Sequence, residues 1–294
     1  MGWVGADHVG PRGHQTVWWQ FTAKYFCKGF TTFRSDDTLF GMKRFFIAFA
    51  LGILPLQAHD SWVEVAASEV KPGQTLYADL MLGNHGNHHR DFKLAGKIPL
   101  ERSTFSMISP SGEVTNLKSG LIDRGMEPQE GYWTVKLNHA ASGIYRLIHT
   151  YDAVVSYAPK RAIKSAKTFF ASGRAPAETG DPIYIKPDGL PLEIIPLDDP
   201  TQLRRDGKLL VKVLFKGEPL KDAVISCIPR GTTLRPDFDP EYETRTAANG
   251  GAKFTLSQPD EYLISVKVDA PAETGETYSA GTEYGATMTF WVSE

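Results

Sequence analysis

Apolar and polar residues alternate with a period of two through much of this chain. The alternation is clear where Trp133, Val135 and Leu137 are separated by polar residues, and it returns in three later segments. A period of two is the pattern of a β-strand with one face in a core and the other in water. It predicts strands in four segments, namely 132–137, 208–216, 262–268 and 288–292.

Turn-forming residues separate the alternating runs. Gly, Pro, Asn and Ser cluster at 71–73, 109–112, 216–219 and 249–251, where we expect the chain to reverse direction. One segment, Arg161–Phe170, is a candidate for a short helix, although its pattern is weak. Short strands, frequent turns and little helix predict an all-β fold of two antiparallel β-sandwich domains, immunoglobulin-like or transthyretin-like in kind.

A short apolar segment has the anatomy of a secretory signal peptide. Residues 42–58 begin with the basic pair Lys43 and Arg44, continue through about ten apolar residues and end at Ala58. The apolar run is far shorter than the roughly 20 residues that span a bilayer, so we expect export without a membrane anchor. The expected location is periplasmic or secreted. Residues 1–41 precede this signal. We interpret them as an N-terminal extension that is an artefact of the choice of start site.

The chain after Ala58 divides by composition. A linker-like stretch around 172–182 and a proline-rich segment after it predict a first sandwich at 59–180, a linker at 181–200 and a second sandwich at 201–294.

Charge and cysteine content narrow the possible partners. The part after Ala58 holds 26 Lys and Arg against 31 Asp and Glu, a net charge of −5, which argues against a nucleic-acid partner. Cys227 is the only cysteine in that part, so it cannot form an intrachain disulfide there. It lies in a predicted strand, and we expect its thiol to be buried and inert.

Histidines supply the candidate chemistry. His85, His88 and His89 lie in one Gly- and Asn-rich loop, and His59 directly follows the predicted cleavage point. Imidazole is the commonest side-chain ligand for Ni, Co, Zn and Cu(II), and a terminal histidine adds its α-amine as a second nitrogen. The four histidines are therefore the predicted ligands of a divalent transition metal.

A structural interpretation stays open for these residues. The loop can be a solvated turn, and His59 with Asp60 can be the structural start of a strand. Asp91 can serve as a further ligand or as an acceptor for an imidazole N–H. His139 and His149 flank a turn in or beside predicted strands, and we expect half-buried strand residues there more than ligands.

Four basic residues lie close together, at Lys160, Arg161, Lys164 and Lys167. This run favours a solvated face, and the alternative is a docking patch for an anionic partner.

Common catalytic motifs are absent from the sequence. The sequence contains no Gly-x-Ser-x-Gly elbow, no His-Glu-x-x-His motif and no glycine-rich phosphate loop. We therefore expect no enzymatic activity.

Three segments, in this order, resemble a known family. They are Ala58–Trp62, the stretch Gly189–Pro200, and the region Leu210–Val292 with its Gly-Glu-Pro-Leu turn. The arrangement is similar to periplasmic component-like proteins associated with cobalt and nickel ABC uptake, a group largely catalogued as a domain of unknown function. The C-terminal part also resembles carboxypeptidase-regulatory and transthyretin-like modules. This resemblance implies export and metal handling.

The leading hypothesis is an exported periplasmic protein that binds nickel, cobalt, zinc or copper through His59, His85, His88 and His89 for an uptake system. Its partners would be the metal ion and a membrane metal-uptake transporter. The alternative is a non-enzymatic structural or cell-surface module that binds protein or glycan. A more remote third hypothesis is an enzyme that uses a copper ion held by His59.

Overall fold

A computed structural model describes residues 59–84, 93–125, 131–156, 158–173, 182–232, 234–235 and 237–294. Over these residues the chain is all-β, with short 3₁₀ turns at Leu100–Arg102, Lys118–Gly120 and Ile183–Ile185. The strands are β1 (Asp60–Val65), β2 (Glu69–Val70), β3 (Leu76–Asn84), β4 (Lys93–Gly96), β5 (Ser103–Ile108), β6 (Val114–Asn116), β7 (Ile122–Asp123), β8 (Trp133–Leu137), β9 (Gly143–Val154), β10 (Arg161–Ser172), β11 (Leu192–Pro196), β12 (Lys208–Phe215), β13 (Glu218–Pro219), β14 (Val224–Pro229), β15 (Glu243–Arg245), β16 (Gly251–Thr255), β17 (Asp260–Ala270) and β18 (Thr282–Val292). The prediction of an all-β fold is confirmed. In this described part, no helix has the length and apolar character needed to cross a membrane.

The strands form three sheets. The first has the order β1-β3-β8-β7, with β4 also paired to β3, and the third has the order β11-β12-β13, with β16 also paired to β12. The second sheet contains nine strands in the order β15-β14-β17-β18-β10-β9-β5-β6, with β2 paired to β10. Most pairs are antiparallel, as predicted, but β10 runs parallel to both β18 and β2.

Two hydrophobic cores lie on opposite faces of the nine-stranded sheet. On β10, Ala166 and Phe170 belong to the core shared with the first sheet, whereas Phe169 belongs to the core shared with the third. Successive side chains of a strand point to opposite faces, so one strand serves both cores. The two sandwiches are therefore built on one continuous sheet.

The four strands predicted from alternation are confirmed as β8, β12, β17 and β18. Cys227 is buried in β14, and burial raises the pKa of its thiol, which agrees with the expected inert side chain.

The helix predicted at Arg161–Phe170 is wrong, because this segment lies in β10. A strand in the middle of a sheet that is covered on both faces has no wet face, so its sequence shows no period-two alternation. The segment 181–200, predicted as a linker, also contains β11, whose five residues are all buried against β12.

Side chains of β18 satisfy the backbone of β1. The Thr287 hydroxyl donates to the Ser61 carbonyl at 2.7 Å, and the indole N–H of Trp291 donates to the Val65 carbonyl at 2.7 Å. The Thr289 hydroxyl donates to Val63 between them. Buried carbonyls need such partners, so this ladder fixes β1 across the nine-stranded sheet.

Candidate functional site

His59 lies immediately before β1, beside the base of the histidine-containing loop. Asp60 pairs with Gly83 across β1 and β3, and Asn84 pairs with Lys93 where β3 meets β4. The two ends of the loop between β3 and β4 are therefore paired with each other at the corner of the sheet where His59 lies.

The other predicted ligands, His85, His88 and His89, lie outside the described residues, as does Asp91. Their assignment as metal ligands stays a prediction. Among the residues that the structure describes, no group of three or more His, Cys, Asp or Glu side chains is placed to hold a metal ion. Of the four predicted ligands, the structure therefore places His59 alone.

Asp60 is buried in a set of opposite charges. Its side chain is 1% exposed; Oδ1 lies 3.6 Å from Lys164 Nζ and Oδ2 lies 3.2 Å from Lys267 Nζ. The Ser265 hydroxyl donates to Oδ2 at 3.4 Å. A buried carboxylate is tolerated when it is paired and hydrogen-bonded in this way. These contacts anchor the residue that follows His59 to the nine-stranded sheet.

The charge network continues away from Asp60. Lys164 Nζ lies 2.6 Å from Glu283 Oε1, and Lys160 Nζ lies 3.3 Å from the other oxygen of Glu283 and 2.8 Å from Asp269. Burial alone would lower the pKa of Lys160, but the carboxylates of Asp269 and Glu283 outweigh it and raise the pKa. Lysines and carboxylates alternate through this network, so each charge has an opposite neighbour.

A second network lies on the opposite face of β10. Lys167 contacts Asp188 at 2.6 Å and also contacts Glu193, and Arg146 lies 2.7 Å from the other oxygen of Asp188. The Glu193 carboxylate also accepts three backbone N–H groups, those of residues 188–190. This network holds the segment before β11 against β9 and β10.

The prediction of a solvated face for the basic run is wrong for Lys164 and Lys167, which are 4% and 3% exposed. The acids that pair with them, among them Glu193 and Glu283, come from distant parts of the sequence, and β10 is covered on both faces. The sequence of four basic residues within eight positions does not reveal their acidic partners, because only the folded chain brings those acids close.

His139 and His149 are buried strand-associated residues in the first core. The Nε2 atom of His139 donates to the Gln74 carbonyl at 2.6 Å, and Nδ1 lies 2.9 Å from the Ser172 hydroxyl. These contacts occupy both ring nitrogens, so His139 has a structural role.

His149 is fully buried, and its Nδ1 donates to the Thr104 carbonyl at 2.9 Å. Its Nε2 has no hydrogen-bond partner among the described residues. Burial lowers the pKa of His149 to about 4, so the imidazole is neutral near pH 7.

A third charged cluster, which no pattern in the sequence indicates, lies at the junction of β1 with β17. The indole N–H of Trp62 donates to Glu64 at 2.6 Å, and Arg230 contacts both Glu64, at 2.5 Å, and Glu261. Burial and the nearby Glu64 raise the pKa of Glu261 to about 8. Alternation identifies β17 as a strand but does not identify the buried carboxylate within it.

Several solved structures show partial similarity to the chain. The D0-D1 domain of intimin is 15% identical over 79% of this chain and 97% of that chain, with a TM-score of 0.21. The adhesin InvE of Yersinia pseudotuberculosis is 13% identical over 78% of this chain and 58% of that chain, with a TM-score of 0.19. A DUF4785 family protein from Legionella pneumophila is 12% identical over 69% of this chain and 52% of that chain, with a TM-score of 0.26. These scores are too low to carry any function across.

No curated protein matches the chain. Residues 56–270 match the model of a family described as a domain of unknown function, DUF4198. The match includes His59 and both charge networks of β10 apart from Glu283. Because it spans most of the sequence, the chain belongs to the DUF4198 family.

Proposed function

We propose that this protein is an exported metal-binding protein that holds nickel, cobalt, zinc or copper through His59, His85, His88 and His89. It would pass the ion to a membrane uptake transporter, a role that requires no chemistry by the protein itself. The observation that supports the proposal is the position of His59 beside the paired ends of the loop that contains the other three histidines.

The anchoring of Asp60 suits His59 to this role. A ligand that is attached to a fixed backbone loses less conformational freedom when it binds the metal, and this favours affinity. Asp60 is fixed by Lys164 and Lys267, and the rest of β1 is fixed by the donors of β18. The peptide bond that joins His59 to β1 is therefore already held before a metal arrives.

The experiment is a calorimetric titration of metal-free protein, purified after native export, with Ni, Co, Zn and Cu(II). We expect at least one ion to bind with a Kd below about 10 μM, which corresponds to about −7 kcal/mol. A variant with His85, His88 and His89 all changed to Ala should lose that binding, whereas the loop control Asn87→Ala should retain it. A Kd above 10 μM for every ion, or an unchanged triple variant, would contradict the proposal.

A second variant isolates His59. A variant with one extra residue before His59 moves the terminal α-amine away from this histidine but leaves its imidazole, whereas His59→Ala removes the imidazole. If both variants bind the metal as tightly as the parent protein, His59 is not a ligand. N-terminal sequencing of the exported protein checks whether the chain is cut after Ala58. A protein that binds no metal would favour the alternative hypothesis, a surface module that binds protein or glycan.

A further inference from the structure

A cavity of about 200 Å³ lies beside His59, between the end of β3 and the strands β9 and β10. One water occupies about 30 Å³ of liquid, so the cavity has room for about seven waters. Pockets for drug-sized molecules span about 300–1,000 Å³. The cavity therefore suits a molecule of only a few carbon atoms.

The charged side chains among the described lining residues are both lysines, Lys97 and Lys164. Their side chains are 9% and 4% exposed, so both ammonium groups lie in a largely dry environment where charge interactions are strong. Lys97 Nζ lies 2.6 Å from Asp123 and 5.7 Å from the centre of the Trp133 ring. Lys164 Nζ lies 2.6 Å from Glu283 and 3.6 Å from Asp60, and none of these three carboxylates belongs to the described lining.

The remaining lining has two kinds of surface. Leu82, Ile98, Pro99 and Ala162 offer apolar contacts, whereas Tyr151 and Ser156 bring hydroxyl groups. Cations next to an apolar wall match an anion that has a short hydrocarbon part. An inorganic anion such as phosphate matches the lysines but leaves the apolar wall without a partner.

We propose that this cavity binds a small carboxylate, with its anionic group held by Lys97 and Lys164 and its carbon skeleton packed against Leu82, Ile98 and Pro99. The site is complete without a metal ion. Because His59 lines the same cavity, a bound carboxylate lies next to a residue proposed to hold the metal.

Asp123 makes the proposal sharply testable. Its side chain is 47% exposed and competes with the ligand for Lys97. Removal of its charge by Asp123→Asn frees the ammonium group for a carboxylate in the cavity, so this variant should bind more tightly than the parent protein. A purely structural role for the Lys97–Asp123 pair predicts no such gain.

The test is a calorimetric titration of the full, metal-free protein with butyrate, which has one carboxylate and a short hydrocarbon chain. We expect saturable binding with a Kd below about 1 mM, weakened about tenfold or more by Lys97→Gln, since a charge-assisted hydrogen bond is lost. Asp123→Asn should tighten binding about threefold. The matched control is Lys208→Gln, which neutralises an exposed lysine on β12 and should bind like the parent protein.

Butan-1-ol, which has the same carbon skeleton without charge, should not bind. The absence of saturable butyrate binding up to about 10 mM would overturn the proposal, as would equal affinities in Lys97→Gln and Lys208→Gln. Phosphate binding as tight as butyrate would refute the assignment to a carboxylate. Since the protein is metal-free throughout, none of these outcomes bears on the proposed metal site. Thermal unfolding of each variant confirms that it is folded, and Asp123→Asn provides a test even if Lys97→Gln does not fold.

Discussion

Two lysines on β10, three residues apart, are both buried but occupy different surroundings. Lys167 binds Asp188 and Glu193, and Glu193 is further tied to three backbone N–H groups. Lys164 binds Asp60 and Glu283 and also borders the cavity beside His59. A buried ion pair is therefore not in itself a sign of a binding site. The difference lies in whether the cation also faces space that a ligand can enter.

The largest expected effect comes from removal of the positive charge of Lys167. Lys167→Met leaves Asp188 and Glu193 buried with an excess of negative charge, and we expect a loss of about 3–5 kcal/mol in unfolding free energy. Lys164→Met should cost less, about 2 kcal/mol, because Asp60 keeps Lys267 and Glu283 keeps Lys160. Urea unfolding at pH 7 measures both values. If Lys164→Met proves the more damaging substitution, the proposed contrast between the two faces is wrong.

The second effect concerns pH and His149, which lies opposite Ala166 on the Lys164 face. Its pKa falls from 6.5 in the unfolded chain to about 4 in the folded protein. Between pH 6.5 and pH 4 the unfolded state binds a proton at His149 and the folded state does not. The contribution of His149 to stability is therefore complete above pH 6.5 and is lost as pH falls toward 4. The expected contribution is about 2–3 kcal/mol between pH 7.5 and pH 4.5.

Urea unfolding at a series of pH values, for the parent protein and for His149→Gln, tests this expectation. Gln does not ionise, so this part of the pH dependence should disappear from the variant even though the carboxylates continue to titrate. Parallel stability–pH curves for the two proteins would show that His149 does not contribute. In that case, the pH dependence of stability would not distinguish the Lys164 face of β10 from the Lys167 face.

The smallest effect concerns the hydrogen bonds that side chains of β18 donate to β1. Thr289→Val keeps the shape of the side chain but leaves the Val63 carbonyl without its donor, at a cost of about 1 kcal/mol. Thr255→Val, an exposed position on β16, is the matched control and should change stability by less than about 0.5 kcal/mol. Thermal or urea unfolding compares them. Equal effects would mean that the donors of β18 do not stabilise β1.

Much of the fold could be predicted because most strands have one covered face and one wet face. The alternation at Trp133–Leu137 and Lys208–Phe215 reports that asymmetry directly. The pattern fails for β10, which serves two cores, and for β11, which is short and lies in a proline-rich stretch that resembles a linker. No local pattern shows that β10 runs parallel to β18 or that one sheet runs through both sandwiches.

For the candidate site, the sequence singles out His59 by its place after a predicted cleavage point. The register between β1 and β3 places His59 beside the loop that carries the other histidines, and its role as a ligand stays a prediction. The cavity was not foreseen, because Lys97 and Lys164 are far apart in sequence and only the fold brings them to one place. Asp60 is a neighbour of His59 in the sequence, but its burial between two lysines depends on β10 and β17.

The hydrogen bonds from β18 to β1 join residues that are 226 positions apart in the chain. During synthesis, β1 is made first and must wait for β18 before its outer carbonyls find their partners. The core of the first sandwich does not depend on β18, because its buried residues all lie between Val63 and Phe170. The three bonds are contacts of long sequence separation, which form slowly, and they tie β1 to the nine-stranded sheet only after β18 has been made.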